Sequence, residues 1–212
     1  MLKGERVVLR PIQRADLPRL WELVDDFEVA VLGSPEPVVP TSLSELEANF
    51  DRDLAQSRKD RAYFGIEVDD ELIGEAGLHQ INHFNRSCEL GIAIGREHWG
   101  KGFGQDAART LVDYAFEHLN MNRIGLYTLA EDPPAVGAYR KAGFVEEGRI
   151  RQHAWVRGRY EDELVMSVLR GGRPRARASR TRSRRAGAAR RTARRPPPTS
   201  RGPARSRTGR PA

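Results

Sequence analysis

Glu89-Leu-Gly-Ile-Ala-Ile-Gly95, followed by Arg96-Glu-His-Trp99 and then Gly100-Lys-Gly-Phe-Gly104-Gln105-Asp-Ala107, carries the reading of the whole chain. The first seven residues have the β-branched content of a strand. The run from Phe103 onward has the apolar spacing of a helix. Between them lie glycines, which let backbone N–H groups converge without Cβ clashes. A helix N-terminus adds partial positive charge to that turn. Strand, glycine turn and helix together predict an anion cradle suited to phosphate.

Working outward, Tyr63–Val68, Leu72–Ile81 and Glu89–Ile94 are predicted as consecutive strands, the first two joined by a tight turn at Asp69-Asp70. Ahead of them come a short strand over Arg6–Ile12, a helix over Asp16–Val24 and a loop at Gly33–Pro40. A second helix opens at Ser42 with Glu45 three residues on, a capping-box pattern, and carries Leu43, Leu46, Phe50 and Leu54 as its apolar stripe. Beyond the glycine turn, Ala108, Leu111, Val112, Ala115 and Leu119 share one face of a long helix. Arg123–Leu129 is a strand, Pro134–Ala142 a helix stopped by Gly143, and Phe144–Ile150 and Leu164–Leu169 are closing strands. The expected fold class is mixed α/β, with an antiparallel front half and a strand–helix–strand unit at its centre.

Charge divides the chain in two. Of the 36 Lys and Arg among 212 residues, 15 are arginines beyond Arg170, where no acidic residue occurs. The 21 that remain meet all 29 Asp and Glu, so the body is acidic at −8 while the net charge of the whole is +7. A segment of Arg, Pro, Ala, Gly, Ser and Thr cannot bury enough apolar surface to offset the entropy of ordering it. Residues 1–170 are therefore expected as one domain, and 171–212 as a disordered basic tail capable of non-specific contact with nucleic acid. Cys88 is the single cysteine, which excludes an intramolecular disulfide. No secretion signal is apparent at Met1–Glu5, and no apolar run approaches the roughly 20 residues of a membrane span. The expectation is a cytoplasmic protein without membrane contact, as monomer or homodimer.

Three phosphate signatures overlap the glycine turn. Gly95, Gly100 and Lys101 open a P-loop pattern, but Gly102 stands where Ser or Thr would hold Mg²⁺. Gly102, Gly104 and Ala107 match a dinucleotide fingerprint, yet antiparallel-type strands precede it where a first βαβ unit should begin. The third signature has a second half elsewhere. Trp99-Gly-Lys-Gly-Phe-Gly104 resembles the acetyl-CoA pyrophosphate loop of the GNAT N-acetyltransferases. Asp132-Pro-Pro-Ala135-Val-Gly-Ala-Tyr139-Arg-Lys141-Ala-Gly143-Phe144 is similar to that family's segment after the next strand. Val8-Leu-Arg-Pro11, Ile81-Asn-His83 and Asp113-Tyr-Ala-Phe116 resemble the branch of ribosomal-protein N-terminal acetyltransferases and bacterial spermidine acetyltransferases. Two departures stand out: Trp99 replaces the usual Gln or Arg, and Asp132 the usual Asn.

The resemblance implies a mostly antiparallel sheet with two splayed strands, and acetyl-CoA as cosubstrate for acetylation of a primary amine, on a protein N-terminus or a small polyamine. It places the pantetheine arm on Ile92, Ala93 and Ile94, and the pyrophosphate on Trp99, Gly100, Lys101, Gly102, Phe103, Gly104 and Gln105. Asp132 and Ala135 are further cofactor positions. Tyr139 matches the tyrosine that protonates the departing thiolate. Glu89, at the start of the central strand, is the candidate base, with His83 a second. Ordinary packing remains open for Tyr139 and Cys88, and solvated charge for Glu89. No metal site is expected from His79, His83 and His98. Asp25, Asp26, Glu28 and Glu36 form an acidic stretch that suits a cationic acceptor. The alternative is a non-catalytic protein that binds acetyl-CoA, or nucleic acid through the tail.

Overall fold

The computed structural model describes residues 1–33, 38–56 and 59–172. Eight strands form one sheet: β1 (Leu2–Lys3), β2 (Val8–Arg10), β3 (Ala62–Val68), β4 (Glu71–Asn82), β5 (Ser87–Ile94), β6 (Arg123–Leu129), β7 (Val145–Val156) and β8 (Arg159–Leu169). Their spatial order is β1-β2-β3-β4-β5-β6-β8-β7, antiparallel at every step except the parallel pair β5–β6. That parallel step follows from the long crossover between the two strands, since parallel neighbours cannot be joined by a tight turn. The crossover is α4 (Phe103–Glu117). The other helices are α1 (Leu17–Val24), α2 (Phe27–Gly33), α3 (Leu43–Ala55) and α5 (Pro133–Ala142).

The core forms where α4 lies on the sheet. Ala107, Ala108, Leu111, Val112 and Ala115 are buried in one cluster with Leu9, Ile66, Leu78, Leu90, Ile124, Leu126 and Met166. The small residues of α4 let it approach the strands closely. Asp69 and Asp70 both adopt positive φ, 50° and 64°, which suits the primed turn that the twist of a two-residue hairpin favours.

The mixed α/β class and its antiparallel front half agree with the sequence pattern, and β6 runs over the predicted residues. Three details differ. The helix α2 spans residues to which the sequence pattern assigns no element: Asp26 Oδ1 accepts from the Glu28 N–H at 2.9 Å and starts the turn. Residues 34–37 of the predicted 33–40 loop lie outside the described residues. Leu54, assigned to the buried stripe of α3, is 67% exposed. The last two strands are 12 and 11 residues long and joined through Arg157 and Gly158, both at positive φ. Their length is hidden because β7 is an edge strand, mostly exposed and interrupted by register shifts, so its sequence lacks clean alternation.

One contact in this framework was not foreseen. Asp106, buried in the first turn of α4, accepts from the backbone N–H groups of Glu5 at 3.2 Å, Arg6 at 2.7 Å and Val7 at 3.0 Å. A Cβ on Gly4 would stand 2.4 Å from the same carboxylate, so only glycine permits the approach. The clamp ties the N-terminal segment to the start of the crossover helix. Asp106→Ala leaves three donors without a partner, and we expect a loss of about 3 kcal/mol in urea unfolding, with Asp106→Asn losing less because its amide keeps one acceptor. Equal stability of both variants and the parent would remove the clamp from the fold's essentials.

Candidate active site

The parallel pair β5–β6 holds register over only three steps: Ser87 with Arg123, Cys88 with Ile124 and Glu89 with Gly125. Past Glu89 the strands part. β5 continues to Ile94 beside β4, and β6 continues to Leu129 beside β8. The edge of β5 from Leu90 to Ile94 thus faces a wedge with its backbone groups free of sheet pairing on that side. The side chains of Ile92 and Ile94 pack against the core, so core role and open backbone edge coexist at the same residues.

The wedge opens toward the glycine turn. Gly100 and Gly102 have φ of +71° and +82°, a region where a side chain is strained. Gly102 is the residue that caps α4, leaving the first N–H groups of that 15-residue helix without intrahelical partners. The Trp99 indole N–H donates to the Ile94 carbonyl at 2.6 Å, pinning the turn to the end of β5. Lys101 and Gly102 are exposed, while Gln105 in the first helical turn is half-buried. The Arg6 guanidinium donates to the Lys101 carbonyl and lies 4.8 Å above the Phe103 ring. This brace from the chain's start was invisible in the sequence because 95 residues separate Arg6 from Lys101.

The wedge is flanked by α5 on the β6 side. Asp132 caps that helix, its Oδ1 accepting from the Ala135 N–H at 3.1 Å. Gly143 ends it with φ of 102°. Tyr139, one turn before that end, packs against the core with its ring 5.9 Å from that of Phe144. Burial, with a smaller push from Asp132, raises its phenol to about 12. The hydroxyl therefore holds its proton across the neutral range.

Glu89 stands at the fork itself. Its side chain is half-buried, accepts from Gln80 Nε2 at 3.1 Å and lies 3.7 Å from His79 Nδ1. His79 is its direct cross-strand neighbour. His83 is exposed in the following turn. His98 lies 3.5 Å from Glu97. Cys88 is buried, and burial reinforced by Glu89 pushes its thiol to about 12, which rules out a thiolate nucleophile near neutrality. The acidic stretch is less open than its sequence suggests. Asp26 accepts from Arg96 at 2.7 Å and Glu28 pairs with Arg157, while Glu36 lies outside the described residues. Among the described residues no group of His, Cys, Asp and Glu is arranged to hold a metal, and no helix is long and apolar enough to cross a membrane.

Residues 6–145 match the family model for the acetyltransferase (GNAT) domain. The chain belongs to the GNAT acetyltransferase family. A spermidine N(1)-acetyltransferase of Vibrio cholerae is 33% identical over 166 residues, 78% of this chain and 94% of that protein. The Escherichia coli spermidine N(1)-acetyltransferase is 31% identical over 169 residues, 80% of this chain and 89% of that protein. A putative ribosomal N-acetyltransferase, YdaF of Bacillus subtilis, is 34% identical over 106 residues, half of this chain and 58% of that protein. A crystal structure of the Vibrio cholerae enzyme with CoA and spermine superposes with a TM-score of 0.73 at 32% identity, covering 80% of this chain and 98% of that one. This GNAT protein is an acetyl-CoA-dependent enzyme, and its residues fit that cosubstrate: a free strand edge lies beside the wedge and two left-handed glycines beside an uncapped helix start.

Gly104 supplies the discriminating substitution. Gly102 would be strained by any side chain, whereas Gly104 is helical, and a Cβ there would meet only Ile94 Cδ1 at an ordinary 3.5 Å. Packing within the chain therefore leaves room for a side chain there. Gly104→Val should unfold near the parent temperature yet bind acetyl-CoA at least about tenfold more weakly by calorimetry, the cost of one displaced anion contact. Parent affinity in this variant would remove the turn from the cofactor site.

Proposed function

We propose that the acceptor is a small polyamine, acetylated on a primary amine, with the wedge between β5 and β6 as the reaction site. What carries the reading is the pair of spermidine acetyltransferases that align along nearly their whole length. The carboxylate of Glu89 at the fork of the wedge suits a cationic acceptor. A protein N-terminal amine is the second reading, favoured by the ribosomal-type relative over its shorter alignment.

The chemistry follows from the groups present. A primary ammonium of pKa near 10 must lose a proton before its nitrogen can attack. Glu89 is the acceptor for that proton, directly or through a water. The open N–H groups of Ile92 and Ile94 hold the pantetheine arm and polarise the thioester carbonyl, with Ala93 between them turned back to β4. As the C–N bond forms and the C–S bond breaks, the Tyr139 hydroxyl gives its proton to the departing sulfur. Trp99, Gly100, Lys101, Gly102, Phe103, Gly104 and Gln105 bind pyrophosphate mainly through backbone donors. Asp132 and Ala135 contribute by setting the start of α5, since the Asp132 carboxylate is spent on its cap.

Steady-state kinetics with acetyl-CoA and spermidine, an N-terminal peptide and an aminoglycoside test the reading, spermidine giving the highest kcat/KM. Tyr139→Phe should cut kcat about 10²–10⁴-fold with little change in acetyl-CoA affinity. Because the phenol is raised to about 12, the deficit should be uniform from roughly pH 6 to 9. Parent turnover in the variant would exclude Tyr139 from proton transfer.

The basic tail is proposed as accessory, and residues 173–212 lie outside the described ones. The end of the domain is firmly held: Arg170 donates to the carbonyls of Met121, at 2.9 Å, and Phe116. A chain ending after Gly172 should keep full acetyl transfer, while any salt-sensitive binding of random-sequence DNA or RNA should vanish. Loss of transfer would make the tail part of substrate capture.

A further inference from the structure

Glu75, on the same sheet face as Glu89, is a carboxylate that the reaction above leaves unused. Its position follows from register. Glu75 pairs with Ala93 and His79 with Glu89, with Gly77 opposite Gly91 between them. Side chains alternate along a strand, so Glu75, Gly77 and His79 on β4 and Glu89, Gly91 and Ala93 on β5 share one face. The contacts agree: His79 reaches toward Glu89, and a Cβ on Gly91 would meet the His79 ring at 3.6 Å. The opposite face carries Ala76, Leu78, Leu90 and Ile92 toward the core.

The Glu75 carboxylate is half-buried and has no hydrogen bond or ion pair with any described residue. Nearby cations are already committed. On β2, Arg10 bonds Asp16 and Glu67; Arg61, 5.9 Å from the Tyr63 ring, pairs with Asp53 and Asp60; on α1, which packs over β4, Arg19 bonds Glu22, Glu71 and Glu97. Burial alone pushes its pKa up. An uncompensated buried carboxylate is costly, and such groups concentrate at functional sites.

What lies between Glu75 and Glu89 is specific. Ala93 is four residues past Glu89, which puts the two glutamates about 14 Å apart at the strand rise. The strip between them is floored by Gly77 and Gly91. A Cβ on Gly77 would stand 2.2 Å from the Tyr63 ring, so that ring covers the floor, with the His79 ring beside it. Two carboxylates are thus joined by a strip of aromatic surface. That arrangement matches a flexible apolar chain bearing a cation at each end, with ring faces that attract cations.

We propose that Glu75 binds the second ammonium of a linear α,ω-diamine-type acceptor whose reacting amine lies at Glu89. The proposal rests on the polyamine reading and adds the residue that selects for the distal charge. A monoamine of the same length leaves Glu75 unpaired, so discrimination is built into one residue remote from the bonds being broken.

The test compares diaminooctane with octylamine as acceptors at saturating acetyl-CoA. The parent enzyme should favour the diamine in kcat/KM. Glu75→Gln should shrink that preference about tenfold or more, through KM, as expected for one charge-assisted contact. Glu75→Asp should retain part of it. Glu75→Gln should also unfold at the parent temperature or above it, since it removes a carboxylate whose charged form the fold disfavours. Turnover of both amines without preference, or an unchanged preference in Glu75→Gln, overturns this proposal and leaves the polyamine reading standing. Turnover of neither amine by the parent overturns both.

Discussion

Everything at the proposed reaction site depends on β5 and β6 separating after a three-residue parallel pairing. Two neighbouring strands that diverge leave backbone donors and acceptors unmet, a cost that folded proteins rarely accept inside a sheet. Here each strand is held on its outer side: β5 against seven residues of β4, and β6 against seven of β8. The wedge is therefore kept open by its neighbours. The free edge of β5 keeps hydrogen-bonding capacity that an extended ligand arm can use, as a strand does when added to a sheet edge. Closing the wedge would require pulling β8 and its hairpin partner β7 with β6, so the opening is rigid.

At the wide end of the wedge, several contacts converge on the start of α4. Trp99 ties the turn to β5, Arg6 ties it to the chain's N-terminal segment, and Asp106 receives three N–H groups from that same segment. A carboxylate in the first turn of a helix favours the positive end of its dipole, and would by itself oppose a second anion there. The three donors directed at Asp106 answer its charge within the fold. The helix start can then stabilise an internal carboxylate and still present its leading N–H groups to an external phosphate. In the proposed cofactor site, Gly100 and Gly102 serve that presentation through backbone conformation, and Gly104 by leaving space.

How much of this could be read from the sequence depends on the range over which each signal acts. The glycine turn, the helix α4 and the segment from Asp132 to Phe144 are local patterns, set by positive-φ positions, helical spacing and caps, and each was legible. The α5 cap at Asp132 was visible only as a departure from a motif, and the structure gives it a mechanical meaning. The Asp106 clamp and the Arg6 brace join residues about a hundred positions apart, and no period or motif announces such pairs. β7 was under-read because an exposed edge strand has no buried face to impose alternation. Glu75 was passed over for a related reason. A single charged residue inside a strand pattern looks like its solvated side, until register shows which face it occupies and what stands opposite.

Net charge, for the same reason, suited a cationic acceptor without locating where it binds. The body's excess of carboxylates suggested an acidic surface around residues 25–36, yet Asp26 and Glu28 are paired with Arg96 and Arg157. Asp16 and Glu67 share Arg10, Glu147 faces Arg123, and Asp162 faces Arg149. Charges matched in this way, mostly at the surface, contribute little to attracting a ligand at physiological ionic strength, where screening acts within about 8 Å. A carboxylate left unmatched in a half-buried setting is different, because the field there is less screened and the group gains most from a cation that arrives. The proposed recognition of a polycation is therefore a question of which acids lack partners, and the sheet face beside the wedge is where such an acid is found.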